Sequence, residues 1–532
     1  MAQLPVLGID LGTTYSCVAH LDEYGKPIAL LNSEGDYTTP SVVYFEDSGN
    51  VVVGKQAKNE LARHPKRVIQ HIKRKMGVPD FFIEMDGRDY YPPQISSLIL
   101  ESVVSDALAA LDLEVPQEGP LADVVITVPA YFGGAERSAT KTAGEHARLN
   151  VLSIINEPTA AAIAAGLSSG LEKRTVLVYD LGGGTFDVTV VEASSDVIRA
   201  VATGGDRELG GADWDEMLKD LVLDRFREQC PDAEDPLSDS EAVGELAVKV
   251  EDAKQSLTRK NKYGMSFTAN TARASFDITR QEFEELTEDL VERTLRYAEL
   301  VLDAAKEKGV DHLDEVILVG GMSKVPVIAQ RLAERLRARL STVPEPHLMD
   351  PDQIVAKGAA LFAASKVSEH YDSEGSDDRP EKLLPGPAVP KIENITSRGY
   401  GVKAVRDERD KVGHVSWLIR PNDQLPAAPQ DRYVTVHANQ TEVELVVYES
   451  ATNVLDDSID VNTELVGGML KGLPPRQPAG QPIDVTFRLG DEGILEIAAV
   501  GPSGQELRLE YKLPGEVPAE ELEKPLPSIV KW

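Results

Sequence analysis

The stretch VLGIDLGTT (residues 6–14) recurs with small changes as VLVYDLGGGT (residues 176–185). Each copy reads as an apolar strand, an aspartate, a glycine turn and a threonine. A second strand-like run follows each copy, at residues 15–21 and 186–192. Two such units in one chain predict two similar lobes that face each other across a cleft.

The aspartate-glycine-threonine turns have a composition that suits phosphate binding. Glycine lets the backbone turn tightly and approach a phosphate without a Cβ in the way, and threonine adds a hydroxyl donor. Mg²⁺ keeps most of its water, so one or two carboxylates suffice to hold it beside phosphates. A single aspartate or glycine at a strand end is most often only a turn former. Two such turns on opposite lobes predict a clamp on a nucleoside triphosphate and Mg²⁺.

The chain divides into segments of different composition. Strand and helix patterns alternate over residues 1–366, which predicts α/β lobes, with a long amphipathic helix over 282–308. Residues 367–391 are acidic and rich in Pro, Gly and Ser, as is typical of a linker. The short alternating runs of residues 392–515 predict a β-sandwich, and we expect residues 516–532 to be a tail. The predicted strands of the sandwich are residues 401–405, 415–419, 433–437, 442–448, 483–489 and 494–500.

Charge and cysteine content limit the partners and the kinds of site that the protein could have. The 55 basic and 88 acidic residues give a net charge of −33, which disfavours nucleic acid and membrane as partners. Cys17 and Cys230 are too few for a disulfide framework and lie in no zinc motif. The N-terminus lacks the pattern of a signal peptide, so we expect a cytoplasmic protein.

Several stretches together resemble the signature sequences of the seventy-kilodalton heat-shock chaperones. The resemblance covers residues 4–366 in order and spacing, and implies an α/β actin-like fold (duplicated ribonuclease-H-like) with ATPase activity. Sugar kinases and actins share the phosphate turns but lack NEPTAAA and VPAYF in this form. The matching stretches are IDLGTTYSCVA (9–19), VITVPAYF (125–132), IINEPTAAAIAAGL (154–167), VYDLGGGTFDVTV (178–190), GGDRELGGADWD (204–215), VEDAKQSLT (250–258) and ILVGGMSKVP (317–326).

The resemblance implies roles for single residues around ATP/ADP and Mg²⁺. Asp10 and Asp180 would hold the hydrated metal from opposite lobes, and Glu157 would contact its water shell. Lys73 matches the catalytic lysine of the family that helps to place the attacking water, and Asp187 would accept or orient the proton of that water. Lys73 also lies in a basic cluster, residues 63–75, that could simply be a solvated helix face. The phosphates would be cradled by Gly12, Thr13, Thr14, Gly182, Gly183 and Gly184, with Thr185 near the γ-phosphate.

The adenosine contacts implied by the resemblance contain one departure from the family pattern. The family has Ser-Thr-Arg after the paired glycines, whereas this chain has Met322-Ser323-Lys324. A lysine lacks the planar face with which arginine stacks on adenine, so nucleotide affinity could be lower. The implied adenosine contacts are Glu251, Lys254, Thr258, Gly320, Gly321, Lys324 and Asp352.

Two further features of the family have weaker counterparts. Pro129 and Arg137 match a proline switch and its relay arginine, although a strand-ending proline beside core aromatics has the same sequence. By position in the β domain, an apolar groove for an extended peptide would be lined by Val402, Val405, Tyr433, Val443 and Leu445. The same alternating residues could instead be the core of the β-sandwich.

Three family features are not recognisable in the sequence: the leucine-rich linker, a helical lid after the β domain and an acidic C-terminal tag. We therefore expect fast peptide release and altered coupling. The leading hypothesis is an ATP-dependent chaperone for unfolded polypeptides, with a J-domain cochaperone and a nucleotide exchange factor as partners. One alternative is a nucleotide-switched adaptor for a single dedicated protein. Another, a small-molecule kinase, would need a sugar-binding site and has no use for the β domain.

Overall fold

The computed structural model describes residues 4–166, 173–340, 342–374, 390–406, 409–410, 412–452, 454–490, 495–511, 517 and 524–531. These residues form two α/β lobes, here called lobe I and lobe II, and a β domain. The mixed α/β architecture with several sheets that the sequence predicts is therefore confirmed. In the part of the chain described, no helix is both long and apolar enough to cross a bilayer.

Lobe I is built on a six-stranded sheet with a three-stranded sheet and a small hairpin beside it. Its strands are β1 (Val6–Asp10), β2 (Tyr15–Leu21), β3 (Pro27–Ala29), β4 (Thr39–Pro40), β5 (Val43–Phe45), β6 (Val51–Val53), β7 (Val68–Ile69), β8 (Ile83–Met85), β9 (Arg88–Tyr90), β10 (Asp123–Val128) and β11 (Asn150–Asn156). Its helices are α1 (Lys55–Asn59), α2 (Pro92–Ala110), α3 (Gly134–His146) and α4 (Glu157–Ala164), with 3-10 turns at Glu60–Ala62, Pro65–Arg67 and Ile72–Lys75.

Lobe II is built on a second six-stranded sheet with a separate hairpin. Its strands are β12 (Arg174–Leu181), β13 (Phe186–Ala193), β14 (Val197–Asp206), β15 (Lys262–Ala269), β16 (Ala272–Thr279), β17 (Glu315–Val319) and β18 (His347–Leu348). Its helices are α5 (Gly211–Gln229), α6 (Ser240–Leu257), α7 (Arg280–Leu286), α8 (Glu288–Glu307) and α9 (Pro326–Arg337), followed by α10 (Ile354–Glu374); 3-10 turns cover Pro236–Ser238 and Gly321–Lys324.

The main sheets of the two lobes have the same strand order and the same strand directions. Lobe I runs β11-β10-β1-β2-β3 and lobe II runs β18-β17-β12-β13-β14. In both, the central strand is antiparallel to the strand that follows it and parallel to its other neighbour. The repeated sequence lies at equivalent places, since each copy begins on the central strand and ends in the turn beyond it.

Helices α4 and α10 join the two lobes. Helix α10 packs across β1 and β10 of lobe I, whereas α4 packs against β12, β13 and β14 of lobe II. Small residues let the helices and strands approach closely: a Cβ on Gly358 would lie 1.8 Å from the carbonyl oxygen of Ala160, and one on Gly8 would lie 2.0 Å from the amide of Ala360. One apolar cluster contains side chains of both lobes and both helices. The lobes therefore share a core behind the cleft.

The β domain consists of two four-stranded sheets that enclose an apolar core. One sheet has the order β21-β20-β23-β24 and the other β22-β25-β26-β27. The strands are β19 (Lys391–Glu393), which lies outside both sheets, β20 (Tyr400–Ala404), β21 (His414–Ile419), β22 (Gln430–Val434), β23 (Glu442–Glu449), β24 (Thr463–Lys471), β25 (Pro482–Leu489), β26 (Leu495–Val500) and β27 (Glu506–Tyr511), with a 3-10 turn at Ile459–Val461.

The borders of the expected linker differ in the structure. Helix α10 runs to Glu374, eight residues past the expected end of the α/β region. Strand β19 pairs in parallel with β14, so Ile392 and Glu393, which we expected in the β-sandwich, extend the sheet of lobe II. Ile392 also packs against the apolar cluster shared by the lobes. Residues 375–389, most of the expected linker, lie outside the described residues.

The predicted long helix over residues 282–308 is two helices, α7 and α8, that meet at Thr287. The Thr287 side chain is buried, and its hydroxyl donates to the carbonyl of Phe283 at 2.9 Å. A threonine that bonds back to the preceding turn competes with the helical backbone, which explains the break. The amphipathic pattern survives in α8, whose apolar residues face the core of lobe II.

The close contact between α10 and α4 yields a stability prediction. Gly358→Ala should cost about 1–3 kcal/mol, because the new methyl group would overlap the backbone of Ala160. Calorimetry should show the α/β transition at a temperature lower by several degrees. Gly264→Ala is the matched control, since its Cβ would meet its nearest atom at 3.7 Å. Equal melting temperatures for the two variants would contradict the packing argument.

Candidate active site

The two repeated turns meet at the base of the cleft. A Cβ on Gly183 would lie 1.7 Å from Oγ1 of Thr14, and one on Gly184 would lie 2.2 Å from Cγ2 of Thr13. A Cβ on Gly12 would lie 1.9 Å from the carbonyl oxygen of Tyr15. At these positions only glycine lets threonine hydroxyls of lobe I face bare backbone of lobe II. The amide of Gly182 donates to the carbonyl of Thr185 at 3.0 Å, which closes the second turn.

Acidic side chains from both lobes surround this point. Asp10 ends β1 and Asp180 lies near the end of β12, the equivalent strand. Oδ1 of Asp10 accepts a hydrogen bond from the Thr127 hydroxyl at 3.2 Å. Oδ2 of Asp187 accepts one from the backbone amide of Ala130 at 2.8 Å, which links lobe II to lobe I.

Lys73 and Glu157 form a buried ion pair beside these aspartates. Nζ of Lys73 lies 2.7 Å from Oε1 of Glu157, and the lysine side chain is 4% exposed. The same ammonium group lies 5.7 Å from the ring centre of Phe132. The alternative that Lys73 lies on a solvated helix face is therefore wrong. The 3-10 turn Ile72–Lys75 directs the lysine side chain into the cleft.

The electrostatics of the cluster favour a bound cation. Burial, together with the charge of Glu157, raises the pKa of Asp10 to about 7 and raises the pKa of both Asp180 and Asp187 well above the usual range. Lys73 lowers the pKa of all three, but one ammonium group cannot balance four carboxylates. A divalent cation would supply the missing charge.

The donor set fits Mg²⁺ held through water. Within the described ranges, no three Asp, Glu, His or Cys side chains are grouped so that they could hold a metal ion directly. Two aspartates on facing strands can still bind a hydrated ion through its water shell. Oγ1 of Thr13 and Oδ1 of Asp187 are buried without a hydrogen-bond partner among the described residues. Such orphaned atoms are accounted for if a ligand or its water supplies the partner.

Three of the predicted adenosine residues lie on or just after α6, and each has a partner elsewhere in the protein. Glu251 on α6 accepts a hydrogen bond from the Tyr15 hydroxyl at 2.9 Å and lies 2.6 Å from Nζ of Lys58. Lys254 donates to Asp215 at 2.6 Å. The hydroxyl of Thr258 donates to its own helix, at the carbonyl of Gln255.

Lys324, which stands where the family has an arginine, is engaged in an ion pair in the structure. Lys324 forms an ion pair with Asp352, so both predicted adenosine contacts engage each other. Gly320 has a φ of 83°, and a Cβ there would lie 2.5 Å from Oδ1 of Asp180, so only glycine brings this backbone up to the carboxylate. Gly321 begins the adjoining 3-10 turn.

Sequence reasoning missed the side chains that hold the cleft closed. Lys58 and Tyr15 of lobe I both contact Glu251 of lobe II. Arg74 donates to the carbonyl of Gly184 at 2.7 Å and to Asp213 at 2.6 Å. Lys58 and Arg74 have no motif of their own: Arg74 is next to Lys73 in the basic cluster, and Lys58 looks like an ordinary helix-surface residue.

The predicted coupling residues connect the cleft to the β domain. Pro129 directly follows β10 and precedes Ala130, whose amide contacts Asp187. Arg137 donates to the carbonyl of Phe132 at 3.2 Å and also bonds the side chain of Asn156. Asn156 in turn donates to Asn394 at 3.4 Å, directly after β19.

The five predicted groove residues occupy different depths in the β domain. Val402 is 1% and Leu445 is 5% exposed, and both pack in the core between the two sheets. Tyr433 and Val443 are half-buried at the edge of that core, and the Tyr433 hydroxyl donates to Ser416 at 3.0 Å. Val405 is half-buried just after β20. The buried pair could touch a peptide only if its strands moved.

Comparison with known proteins identifies the family. The model of the family described as "Hsp70 protein" matches residues 6–524. The chain belongs to the Hsp70 family. Relatives named "Chaperone protein DnaK" in Thermotoga petrophila and Thermotoga maritima are each 38% identical over 503 residues, covering 93% of this chain and 78% of the relative. The same name is given to a relative in Thermosipho africanus, 38% identical over 93% of this chain and 77% of its own length.

Membership confirms the general kind of protein that the sequence indicated. Hsp70 proteins are ATP-binding chaperones of the stress response, with an ATPase region and a peptide-binding β region. The described lobes and β domain have the layout that this family implies.

The bond network around Glu251 predicts how the cleft opens. Lys58→Ala removes the pair to Glu251 and the hydrogen bond to Tyr15, so the upper cleft should open more often. Hydrogen exchange in α1 and α6 should accelerate severalfold. Lys55→Ala on the same helix is the control, because its exposed pair with Asp36 stays inside lobe I. Unchanged exchange in Lys58→Ala would mean that the pair does not hold the lobes.

Proposed function

We propose that this protein is an ATP-dependent chaperone that hydrolyses ATP slowly in the cleft and couples its nucleotide state to the binding of extended apolar peptides. The observation that carries the proposal is the continuous contact path from the acidic cluster to the start of the β domain. The same strand order in both lobes supports the actin-like, duplicated ribonuclease-H-like interpretation of the α/β region.

Hydrolysis in such a site depends on positioning and charge. Phosphoryl transfer needs little covalent help from a protein, so catalysis comes from orienting the water and stabilising the developing charge. Mg²⁺, when bound, would neutralise phosphate charge between Asp10 and Asp180. Lys73, held in place by Glu157, would help to position the attacking water. Asp187 would accept or orient the proton of that water.

The path to the β domain begins at Asp187. A shift of its carboxylate would act on the Ala130 amide, and through the segment after Pro129 on Phe132. Arg137 bonds the carbonyl of Phe132 at one end and Asn156 at the other. A nucleotide-dependent change at Asp187 therefore has a chain of direct contacts along which it can reach Asn394.

Two contacts of the β domain with lobe II would also respond to a shift of Asp187. The pairing of β19 with β14 anchors the segment that leads into the β domain. Asn422 accepts a hydrogen bond from the amide of Thr203 at 2.9 Å, and its carbonyl accepts one from Lys308. Strand β14 follows β13, which carries Asp187. We infer that the β domain binds peptide differently when these contacts are made or broken.

Single substitutions separate hydrolysis from nucleotide binding. Thr185→Ala and Lys73→Ala should each lower single-turnover ATP hydrolysis about a hundredfold, because each removes a group that acts at the γ-phosphate. ATP affinity, measured by calorimetry, should change little. Thr268→Ala, which alters an exposed threonine on β15, is the control. Normal hydrolysis in both site variants would show that the γ-phosphate assignment is wrong.

The relay is tested through peptide stimulation. In Arg137→Ala, basal hydrolysis should persist while a saturating extended apolar peptide should no longer stimulate it. The substitution breaks the contacts to Phe132 and Asn156 without touching the acidic cluster. Lys141→Ala, on an exposed position one turn further along α3, should retain stimulation. Equal stimulation in the two variants would rule out the path through Arg137.

A nucleotide-switched adaptor for one protein is the second candidate. The burial of Val402 and Leu445 favours it, since a preformed open groove would leave them accessible. A library of extended peptides distinguishes the two functions. Many weak apolar ligands support the chaperone, and a single tight ligand supports the adaptor. If peptides bind, a J-domain cochaperone and a nucleotide exchange factor are the partners we expect.

A further inference from the structure

Residues 524–531 lie on lobe I, far along the chain from the strands they contact. The amide of Val51 donates to the carbonyl of Ser528 at 3.0 Å, and the amide of Val530 donates to the carbonyl of Val51 at 2.8 Å. Val51 and Ile529 are paired in parallel. The segment therefore adds a strand to β6, the edge of the β6-β5-β7 sheet. Strand addition of this type is a common way for a sheet edge to bind an extended peptide.

Apolar side chains of the segment fill both faces of that sheet. Leu526 and Ile529 pack against the main core of lobe I. Val530 packs on the opposite face, in a cluster formed by Val42, Tyr44, Val52 and Ala57. Successive side chains of a strand point to opposite faces, so Ile529 and Val530 can serve the two clusters only when the segment is extended.

Charged groups of lobe I hold the two ends of the segment. Nη1 of Arg88 donates to the carbonyl of Pro525 at 2.7 Å, and Nη2 reaches the carbonyl of Lys524 at 3.4 Å. At the other end Lys531 forms an ion pair with Asp106 on α2. The Asp106 side chain is only 6% exposed, so Lys531 supplies a positive charge to a nearly buried carboxylate.

We propose that residues 524–531 are an intramolecular strap that ties the C-terminal end of the β domain to lobe I. The N-terminal end of that domain is already tied to lobe II through β19 and β14. The strap thus makes the β domain a bridge between the lobes. Because the segment is tethered within its own chain, its effective concentration is high and a few contacts suffice to keep it bound. The strap contacts Val51, Arg88 and Asp106, none of which belongs to the acidic cluster of the cleft.

The occupancy of the strap site can be measured in the full chain without nucleotide. Ile529→Asp places a charge in the apolar contact, so the Val51 amide should exchange at least about tenfold faster. Ser528→Asp is the control, because that side chain is exposed. Ile529 is only half-buried at the margin of the lobe I core, so the substitution should leave the circular dichroism of the chain unchanged. Equal exchange of Val51 in both variants would show that the segment does not bind there.

The bridging role has its own reporter, the Thr203 amide that donates to Asn422 of the β domain. In Ile529→Asp this amide should also exchange faster, because the β domain undocks more often. Lys531→Glu should act in the same direction and Lys531→Arg should not. A deprotected Val51 with an unchanged Thr203 would overturn the strap role.

A strap exchanged between two chains is the remaining arrangement to be tested. Sedimentation should show the 532-residue chain as a monomer at micromolar concentration. A dimer that disappears in Ile529→Asp would overturn the intramolecular strap. A synthetic peptide of residues 524–531, added in excess, should restore Val51 protection in the Ile529→Asp chain, and a scrambled peptide should not. Failure of the native peptide to restore protection would contradict a specific site on lobe I.

Discussion

The close crossing of α4 and α10 is the constraint on which the rest of the molecule depends. Gly358 lies against the backbone of Ala160, and Gly8 against that of Ala360, with no room for a side chain at either glycine. This contact sets how near the lobes come at the back of the cleft. It thereby brings the two repeated turns face to face, with threonine hydroxyls of one lobe against bare glycine backbone of the other. The cleft exists because two similar sheets share one core.

That arrangement creates an electrostatic problem within the site. Asp10, Asp180 and Asp187 come from both lobes and converge with Glu157 where burial raises the pKa of the aspartates. A single buried lysine leaves an excess of negative charge. A hydrated divalent cation between the aspartates would offset part of that excess, so binding of the cation and closure of the lobes would favour each other. Asp187 also contacts the segment after Pro129, through the amide of Ala130.

The β domain is attached through free sheet edges. Strand β19 covers the edge at β14, and residues 528–530 cover the edge at β6. Unpaired strand edges tend to recruit other chains, and here the chain covers both with its own segments. The same pairings tie the β domain to each lobe, so a change in the angle between the lobes acts on both attachments at once. Covering these two edges therefore keeps them from pairing with other chains and also attaches the β domain to the lobes.

The sequence by itself determined the duplicated α/β plan, the two equivalent turns at Asp10 and Asp180 and the change to β structure near residue 392, because these follow from local periodicity and from turns that only certain residues can make. Strand β24 escaped prediction since Gly467 and Gly468 interrupt its pattern, whereas β27 alternates clearly in Leu507, Leu509 and Tyr511 and could have been found. Only the tertiary structure decided which charges pair across the cleft, that β19 joins lobe II and that residues 524–531 lie on lobe I. Those contacts join residues far apart in the chain, and a surface lysine or a short apolar segment looks the same in sequence whether or not a partner exists.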